Sequence, residues 1–463
     1  MLDSNDLVAA TPRNVVGSVE PVIIPESEHP IRGHDLDKEA LKVLYRLRDA
    51  GFAGYLVGGG VRDLYLGKRP KDFDISTNAR PGQIRKLFRN SRTIGRRFRL
   101  VQIYFRGGKI IEVSTLRSQS EHDISDTDTV LPSNNTFGTL AEDAFRRDLT
   151  VNSLFYEIEN HTIIDYVGGV KDLDQGVIRI VGDAARRVTH DPVRMMRAVR
   201  HAGRIGFRIE PETWKAIGEN CDKLKLCPPS RIRDELLKDL RSGSSEAWAR
   251  IALECGIFYT LFPFYRDLLT AQDNPGPEKL LLSLFHVVDR LSLQPPQEGF
   301  RVEIPDYFLL TLLILPWAVQ RFGLLQQRQK GPAFYQLSKE IRSTMDKLFA
   351  DSFNLKRMDK ESMVMLLVNL ATFAQHHRKK NWPPWLRHKS YFHDCFRFYG
   401  VFDEAQGHQP VDEKLFAVPH SADKEERFFV ADAGGENGRS KGRRGSRPAI
   451  IKGKKGVFGL RNR

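Results

Sequence analysis

Apolar positions recur along this chain with two different periods. From Asp37 to Asp49 (DKEALKVLYRLRD) they fall at helical spacing, and Gly51 follows as a C-cap signal, so the pattern predicts a helix. Tyr55-Leu56-Val57 reads as a short strand, Gly58-Gly59-Gly60 breaks it, and Val61 to Leu66 opens a helix. Phe73 to Ser76 predicts a second strand and Pro81 to Phe88 a helix. Arg99 to Phe105 and Lys109 to Thr115 have strand composition, joined as a hairpin through Gly107-Gly108. The Ser/Asp/Thr-rich residues 117–135 predict a mobile loop. A helical pattern returns from Leu140 to Asn152, and Thr162 to Tyr166 is a short strand ended by Gly168-Gly169.

After Val177 the spacing stays helical to about residue 400. Strands and helices first, then helices alone, predict an α/β head (31–176), a helical neck (177–245) and an all-α body (246–430). Residues 1–30 show no clear period and read as a loose arm; the Gly/Lys/Arg/Ser-rich residues 431–463 read as a disordered basic tail.

Charge adds a partner class. The 463 residues carry 72 Lys+Arg against 58 Asp+Glu, a net +14, which favours polyanions and nucleic acid first among them. Ten of the basic residues lie in 439–463, where there is no acid, so the tail is a separate basic device on a mildly basic globular part. Four cysteines (Cys221, Cys227, Cys255, Cys395) with no CxxC pair make no disulfide framework and fit a reducing compartment. The N-terminus has early acids and no apolar core of a secretory signal, and the most apolar run, Phe308 to Val319, contains Pro316 and is shorter than a bilayer span. A cytoplasmic protein with a buried helix at that run is expected.

The candidate chemistry concentrates in YLVGGGVRDLYLGKRPKDFDIST, residues 55–77. A glycine turn between strand and helix lets the N–H groups of Gly58 and Gly59 approach a phosphate with no side chain in the way. Arg62 follows one helical turn later, with a guanidinium fork for the same phosphates. Asp72 and Asp74 stand two apart in an extended segment, so both carboxylates point one way while Phe73 points to the core. Paired carboxylates call for a hard divalent cation, Mg²⁺ where substrate phosphates complete the shell. Glu112, on the strand KIIEVST, is a candidate third carboxylate. Singly, DxD reads as a solvated turn and GGG as a loop; together and in order they point to two-metal phosphoryl or nucleotidyl transfer.

Two further segments carry arginines. In RRDLTVNS (146–153), Arg146 and Arg147 can grip a triphosphate or a sugar and Asp148 can orient one of them or join the carboxylates; taken alone, the segment reads as a charged helix surface. In HDPVRMMRAVR (190–200), Pro192 fits a first helical turn with Asp191 near the N-cap. Arg194, Arg197 and Arg200 follow at i, i+3 and i+6 and are expected on one face. An Asp acceptor beside an Arg donor matches the edge of adenine or cytosine and opposes guanine and uracil, so it selects ATP or CTP without separating them. The plainer alternative is an N-cap and a solvated arginine stripe.

With GGxVRD…DxD, RRDLTVNS, DYVGGVKDL (165–173), DPVRMMRAVR and PSRIRDELLKDL (229–240), residues 27–245 resemble the class II nucleotidyltransferases of the DNA polymerase β superfamily, which include CCA-adding tRNA nucleotidyltransferases and bacterial poly(A) polymerases. SEHPI (27–31), IGRRFRL (94–100) and the basic tail are more similar to the poly(A) polymerases. The resemblance implies a mixed-sheet, polymerase β-like head. It implies that Asp72 and Asp74 hold metals and that Gly59 and Arg62 hold the triphosphate. Arg147 and Asp148 would contact the sugar and phosphates, and Asp191, Arg194, Arg197 and Arg200 would hold and read the base. His190 stands where the family usually has the Glu that orients the arginine.

The expected activity is template-independent addition of AMP from ATP to RNA 3′ ends, with two Mg²⁺, in mRNA processing and turnover and in company with RNA-degradation machinery. The alternatives are a CCA-, CC- or A-adding tRNA enzyme and an inactive RNA-binding protein. Two basic regions are RNA candidates. One is 85–106, with Phe88, Phe98 and Tyr104. The other is 376–389, where Trp382 and Trp385 either stack bases or anchor a helix connector.

Overall fold

In a computed structural model the residues described are 19–95, 99–118, 137–271, 274–293, 300–326, 330–349 and 353–419. The tail, most of the loop at 117–135, Phe98 and the first part of the arm lie outside them.

The head is built on an eight-stranded sheet with the order β1-β8-β7-β2-β3-β6-β5-β4. Its strands are β1 (Val22–Ile24), β2 (Gly54–Val57), β3 (Asp74–Thr77), β4 (Ser91–Ile94), β5 (Leu100–Tyr104), β6 (Ile110–Thr115), β7 (Phe155–Glu157) and β8 (Thr162–Asp165). Only β3 and β6 run parallel; every other neighbour is antiparallel, so the sheet is mixed. Three helices accompany these strands: α1 (Lys38–Asp49), α2 (Gly59–Tyr65) and α3 (Pro81–Leu87). Asp37 caps α1 by accepting from the N–H groups of Glu39 and Ala40, and the buried stripe Ala40, Val43, Leu44 and Leu47 is the core-facing side that the spacing predicted.

Several expectations are corrected here. Residues 22–24 are not part of a loose arm: they pair with β8, Val22 opposite Asp165, and bury Ile24. The helix expected from Leu140 to Asn152 stops early. It is α4 (Leu140–Arg146), capped by a reciprocal Thr139–Glu142 box, and is followed by an extended Arg147 and a separate turn at Thr150–Asn152. Arg147 ends the helix with extended backbone, φ −64° and ψ 170°.

Helices dominate thereafter: α5 (Gly169–Gln175), α6 (Ala184–His190), α7 (Val193–Ile205), α8 (Pro211–Asn220), α9 (Pro229–Leu240), α10 (Ser245–Glu254), α11 (Gly276–Leu293), α12 (Asp306–Phe322), α13 (Gly331–Phe349), α14 (Arg357–Arg378) and α15 (Phe392–Ala405). Two small ribbons interrupt them, Val177–Ile178 with Arg208–Ile209 and Phe300–Val302 with Ala417–Pro419. The apolar run is the buried helix α12. Pro316 deprives it of a backbone donor, and the Tyr265 hydroxyl enters the ladder next to it, donating to the Leu313 carbonyl at 2.7 Å and accepting from Trp317 N–H at 3.4 Å. Among the described residues no helix is long and apolar enough to cross a membrane.

Candidate active site

The glycine turn and the acidic pair meet because of strand register. Val57, the last residue of β2, pairs with Asp74, the first of β3, and Asp74 pairs across the parallel ladder with Glu112 on β6. Gly58 follows Val57 with φ 70°, the left-handed region that a glycine enters without steric cost, and caps α2. The turn therefore sits at the same end of the sheet as the carboxylates.

Asp72 is exposed just ahead of β3, Phe73 is buried, and Asp74 is half-buried. Burial raises the Asp74 pKa to about 6, with Glu112 and then Asp72 adding repulsion and Arg147 opposing it. Glu112 accepts a 2.9 Å hydrogen bond from Gln102 Nε2 on β5. These three acids and Arg147 form one electrostatic unit. Among the described residues no group of three or more His, Cys, Asp or Glu side chains is arranged as a complete metal cage.

Arg147 lies over the same strand face. Its Nη2 donates to Ser76 Oγ at 3.2 Å and to Asp143 at 2.8 Å, its Nη1 donates to the Asn152 carbonyl at 3.3 Å, and its guanidinium stacks 5.0 Å from the Phe155 ring. A Cβ placed on Gly58 would stand 3.6 Å from Nη1. Asp143 is the residue that sequence reasoning missed here: its two oxygens hold Arg146 and Arg147. Burial would raise its pKa, but the two arginines bring it below the ordinary range. The i+3 and i+4 spacing on α4 was the available signal.

Other candidates are placed differently from their expected roles. Arg62 is not a free fork. It is 1% exposed, with Nε and Nη2 on Asp63 Oδ1 at 2.9 and 2.6 Å and Nη1 on Asn152 Oδ1 at 2.7 Å. Asp148 does not join the acidic pair; it accepts from Arg197 at 2.8 Å. Burial would raise Asp148, yet the guanidinium groups of Arg197 and Arg194 hold it well below the usual carboxylate range.

Arg194, Arg197 and Arg200 do not share one face of α7. Steps of about 100° spread i, i+3 and i+6 over about 120° of the helix. Arg194 donates to the carbonyls of Arg147 (2.7 Å) and Arg146 (3.1 Å). Arg197 reaches Asp148, and Arg200 is buried against α9, on Glu235 at 2.7 Å and Asp239 at 2.6 Å. Asp191 sits at the junction of α6 and α7, 3.8 Å from Arg194 but 2.9 Å from both terminal nitrogens of Arg231 on α9; Nη2 donates to its Oδ2, while Oδ1, beside Nη1, has no hydrogen-bond partner among the described residues. His190 is buried, and its Nδ1 has no hydrogen-bond partner among the described residues. Arg231, Glu235 and Asp239 all lie in PSRIRDELLKDL, a motif that sequence reading quoted without assigning roles.

In the basic segments, Phe88 is buried beneath Arg46 and Trp382 packs against Phe373, Phe392 and Phe396, so both serve as anchors rather than open stacking platforms. Trp385 remains 47% exposed.

Residues 54–179 match the Poly A polymerase head domain, and residues 206–269 match the probable RNA and SrmB-binding site of polymerase A. The chain is 47% identical over 266 residues to poly(A) polymerase I of Escherichia coli O6:H1, covering 56% of this chain and 57% of the relative. It is 38% identical over 285 residues to the Haemophilus influenzae poly(A) polymerase I, covering 59% and 63%. A CCA-adding enzyme of Lactobacillus gasseri is 39% identical over 220 residues, covering 47% and 54%. The matches thus span little more than half the length of these relatives. The structure of the Bacillus stearothermophilus CCA-adding enzyme in complex with CTP superposes with a TM-score of 0.53 at 24% identity, over 85% of this chain and 82% of that one, which is a likeness of fold. Over residues 54–179 and 206–269 the chain is thus similar to the nucleotidyltransferases that include the poly(A) polymerases and the CCA-adding enzymes.

Proposed function

We propose that this protein is a polynucleotide adenylyltransferase that adds AMP from ATP to RNA 3′ ends without a template and releases pyrophosphate. The observation that carries the reading is the register that sets Asp74 between the Gly58 turn and Glu112, with Asp72 two residues away. The 47% identity to a poly(A) polymerase I, against 39% to a CCA-adding enzyme, favours adenylation over CCA addition.

In this reading the Gly58–Gly59 backbone receives the triphosphate from one side and Arg147 from the other. Asp72 and Asp74, with Glu112 behind them, would hold Mg²⁺, and an Asp74 carboxyl that ionises only near pH 6 is a site that a cation relieves. When bound, the metal supplies charge neutralisation at the α-phosphate and a lower pKa for the attacking 3′-hydroxyl. Arg194 holds the 146–147 backbone, and Arg197 holds Asp148, so the loop that presents Arg147 is fixed before nucleotide arrives. Asp191, clamped by Arg231, offers an acceptor to an exocyclic amine, and side chains replace a template.

The head (31–176) then carries the transfer, the neck (177–245) the base contact and the body (246–430) the RNA, with the basic tail adding non-specific affinity. Four free cysteines, three of them buried, are in keeping with a cytoplasmic setting.

The test is to incubate the full chain with an oligoribonucleotide, Mg²⁺ and each single NTP. A long run of A from ATP alone is expected, and Asp72→Ala should abolish it while RNA binding survives. A near-normal rate in that variant would overturn the metal assignment. An acceptor at Asp191 also suits CTP, so a tRNA nucleotidyltransferase is the second reading; one to three additions confined to tRNA would establish it.

A further inference from the structure

The face of α7 that meets the head is formed by Arg197, His201 and Arg204, at i, i+4 and i+7, within about 60° of one another. Arg197 holds Asp148 at 2.8 Å and Arg204 approaches Asp63 at 3.4 Å. Between them the His201 ring fills the joint, with Nδ1 3.1 Å from Arg62 Nη1 and Nε2 3.4 Å from Asn152 Nδ2. A guanidinium has only donors, so Nδ1 must accept; the neutral ring's proton is then on Nε2, whose 3.4 Å approach to the Asn152 Nδ2 donor is a packing contact and not a hydrogen bond. Burial and then the Arg62 charge press the ring's pKa down to about 3, which keeps it neutral over the working range.

Arg62 in turn lies beneath the glycine turn: a Cβ built on Gly59 would stand 3.3 Å from its Nη2. Asp63 and Asn152 fix two edges of the guanidinium, and His201 is its tie to the neck.

We propose that His201 is a positioning residue for the incoming nucleotide: its Nδ1 lone pair holds Arg62 flush under Gly59 and so keeps the phosphate turn in register with α7, the helix that opens two residues after Asp191. This rests on the reading of Gly58 and Gly59 as the phosphate turn.

Three substitutions in the full chain test it. His201→Asn keeps an acceptor close to the Nδ1 position, His201→Gln moves it to the Nε2 position, and His201→Leu removes it. ATP binding without RNA is measured by calorimetry, alongside KM for ATP, KM for an oligoribonucleotide, kcat and thermal unfolding. Leu and Gln are expected to weaken ATP binding and raise KM for ATP about tenfold with KM for RNA unchanged, and Asn to stay within about threefold of the parent. If Leu fails to fold, the Asn–Gln contrast carries the test. Equal losses in Asn and Gln, unchanged ATP binding in Leu and Gln, or a parallel rise in both KM values would overturn the proposal. A parent chain that does not bind ATP would instead overturn the phosphate-turn reading, and this inference with it.

Discussion

Asp74 on β3 and Glu112 on β6 stand opposite each other in the parallel part of the sheet, and their like charge is held together by strand register. Burial, Glu112 and Asp72 together lift Asp74 to about 6 from an ordinary 3.8. Because the folded value is the higher, the folded chain binds this proton more tightly between pH 4 and 6, and the stability gained from it is lost as pH rises through about 6. At pH 7.5 without divalent cations, Asp74→Asn should therefore stabilise the chain by about 1–3 kcal/mol and flatten its pH dependence between 4 and 6, while incorporation disappears. Mg²⁺ should raise the Tm of the parent and leave that of the variant unmoved. Denaturant titrations over pH, with and without the metal, check both.

Arg231 bridges Asp191 with both terminal nitrogens at 2.9 Å, whereas Arg194 is 3.8 Å away and spends its donors on backbone carbonyls. If Asp191 contacts the base, its orientation depends on α9. Arg231→Gln should cut discrimination between ATP and GTP about tenfold, with less than about 1 kcal/mol lost in stability because the pair is partly open to water. Single-nucleotide incorporation rates measured side by side give the ratio.

Arg200 is a structural residue. It is buried on Glu235 and Asp239; burial drives both acids upward in pKa, Arg197 and Arg200 bring Glu235 down to about 2, and Asp239 stays raised despite Arg200. Arg200→Leu strands Asp239, while Glu235 keeps Lys238 at 2.9 Å, and should cost about 3–5 kcal/mol. Adding Asp239→Leu removes the stranded acid and should recover part of that loss in a urea titration.

The basic segment at the C-terminus is predicted to act through counterion release. Truncation before residue 433 should lower the slope of log affinity for single-stranded RNA against log salt, by about 0.7 for each phosphate contact removed. Catalysis on a short oligonucleotide should persist, and filter binding across a salt series measures the slope.

Local pattern carried the fold as far as its repeats reach. The α1 stripe, the strands at 55–57, 99–105 and 109–115, and the helical body are read from apolar spacing, because burial of one face imposes that spacing on the chain. The turn glycines, the acidic pair and the motif order were legible for a similar reason: each is a short segment whose residue types are demanded by its own backbone. Pairing between distant segments was not legible. Nothing local announces that Val22–Ile24 will add an edge strand beside β8, or that Val57, Asp74 and Glu112 will line up across three strands.

The arginines show the division most sharply. The sequence by itself placed Arg62, Arg194, Arg197 and Arg200 near a nucleotide, since cations in such motifs suit phosphates and base edges. Only the tertiary structure decided which of them are spent inside the protein, by bringing Asp63, Asn152, Asp148, Glu235 and Asp239 within reach. A guanidinium's role is set by the acceptors around it, and those arrive from residues up to 139 positions away in the chain, beyond the range over which spacing carries information.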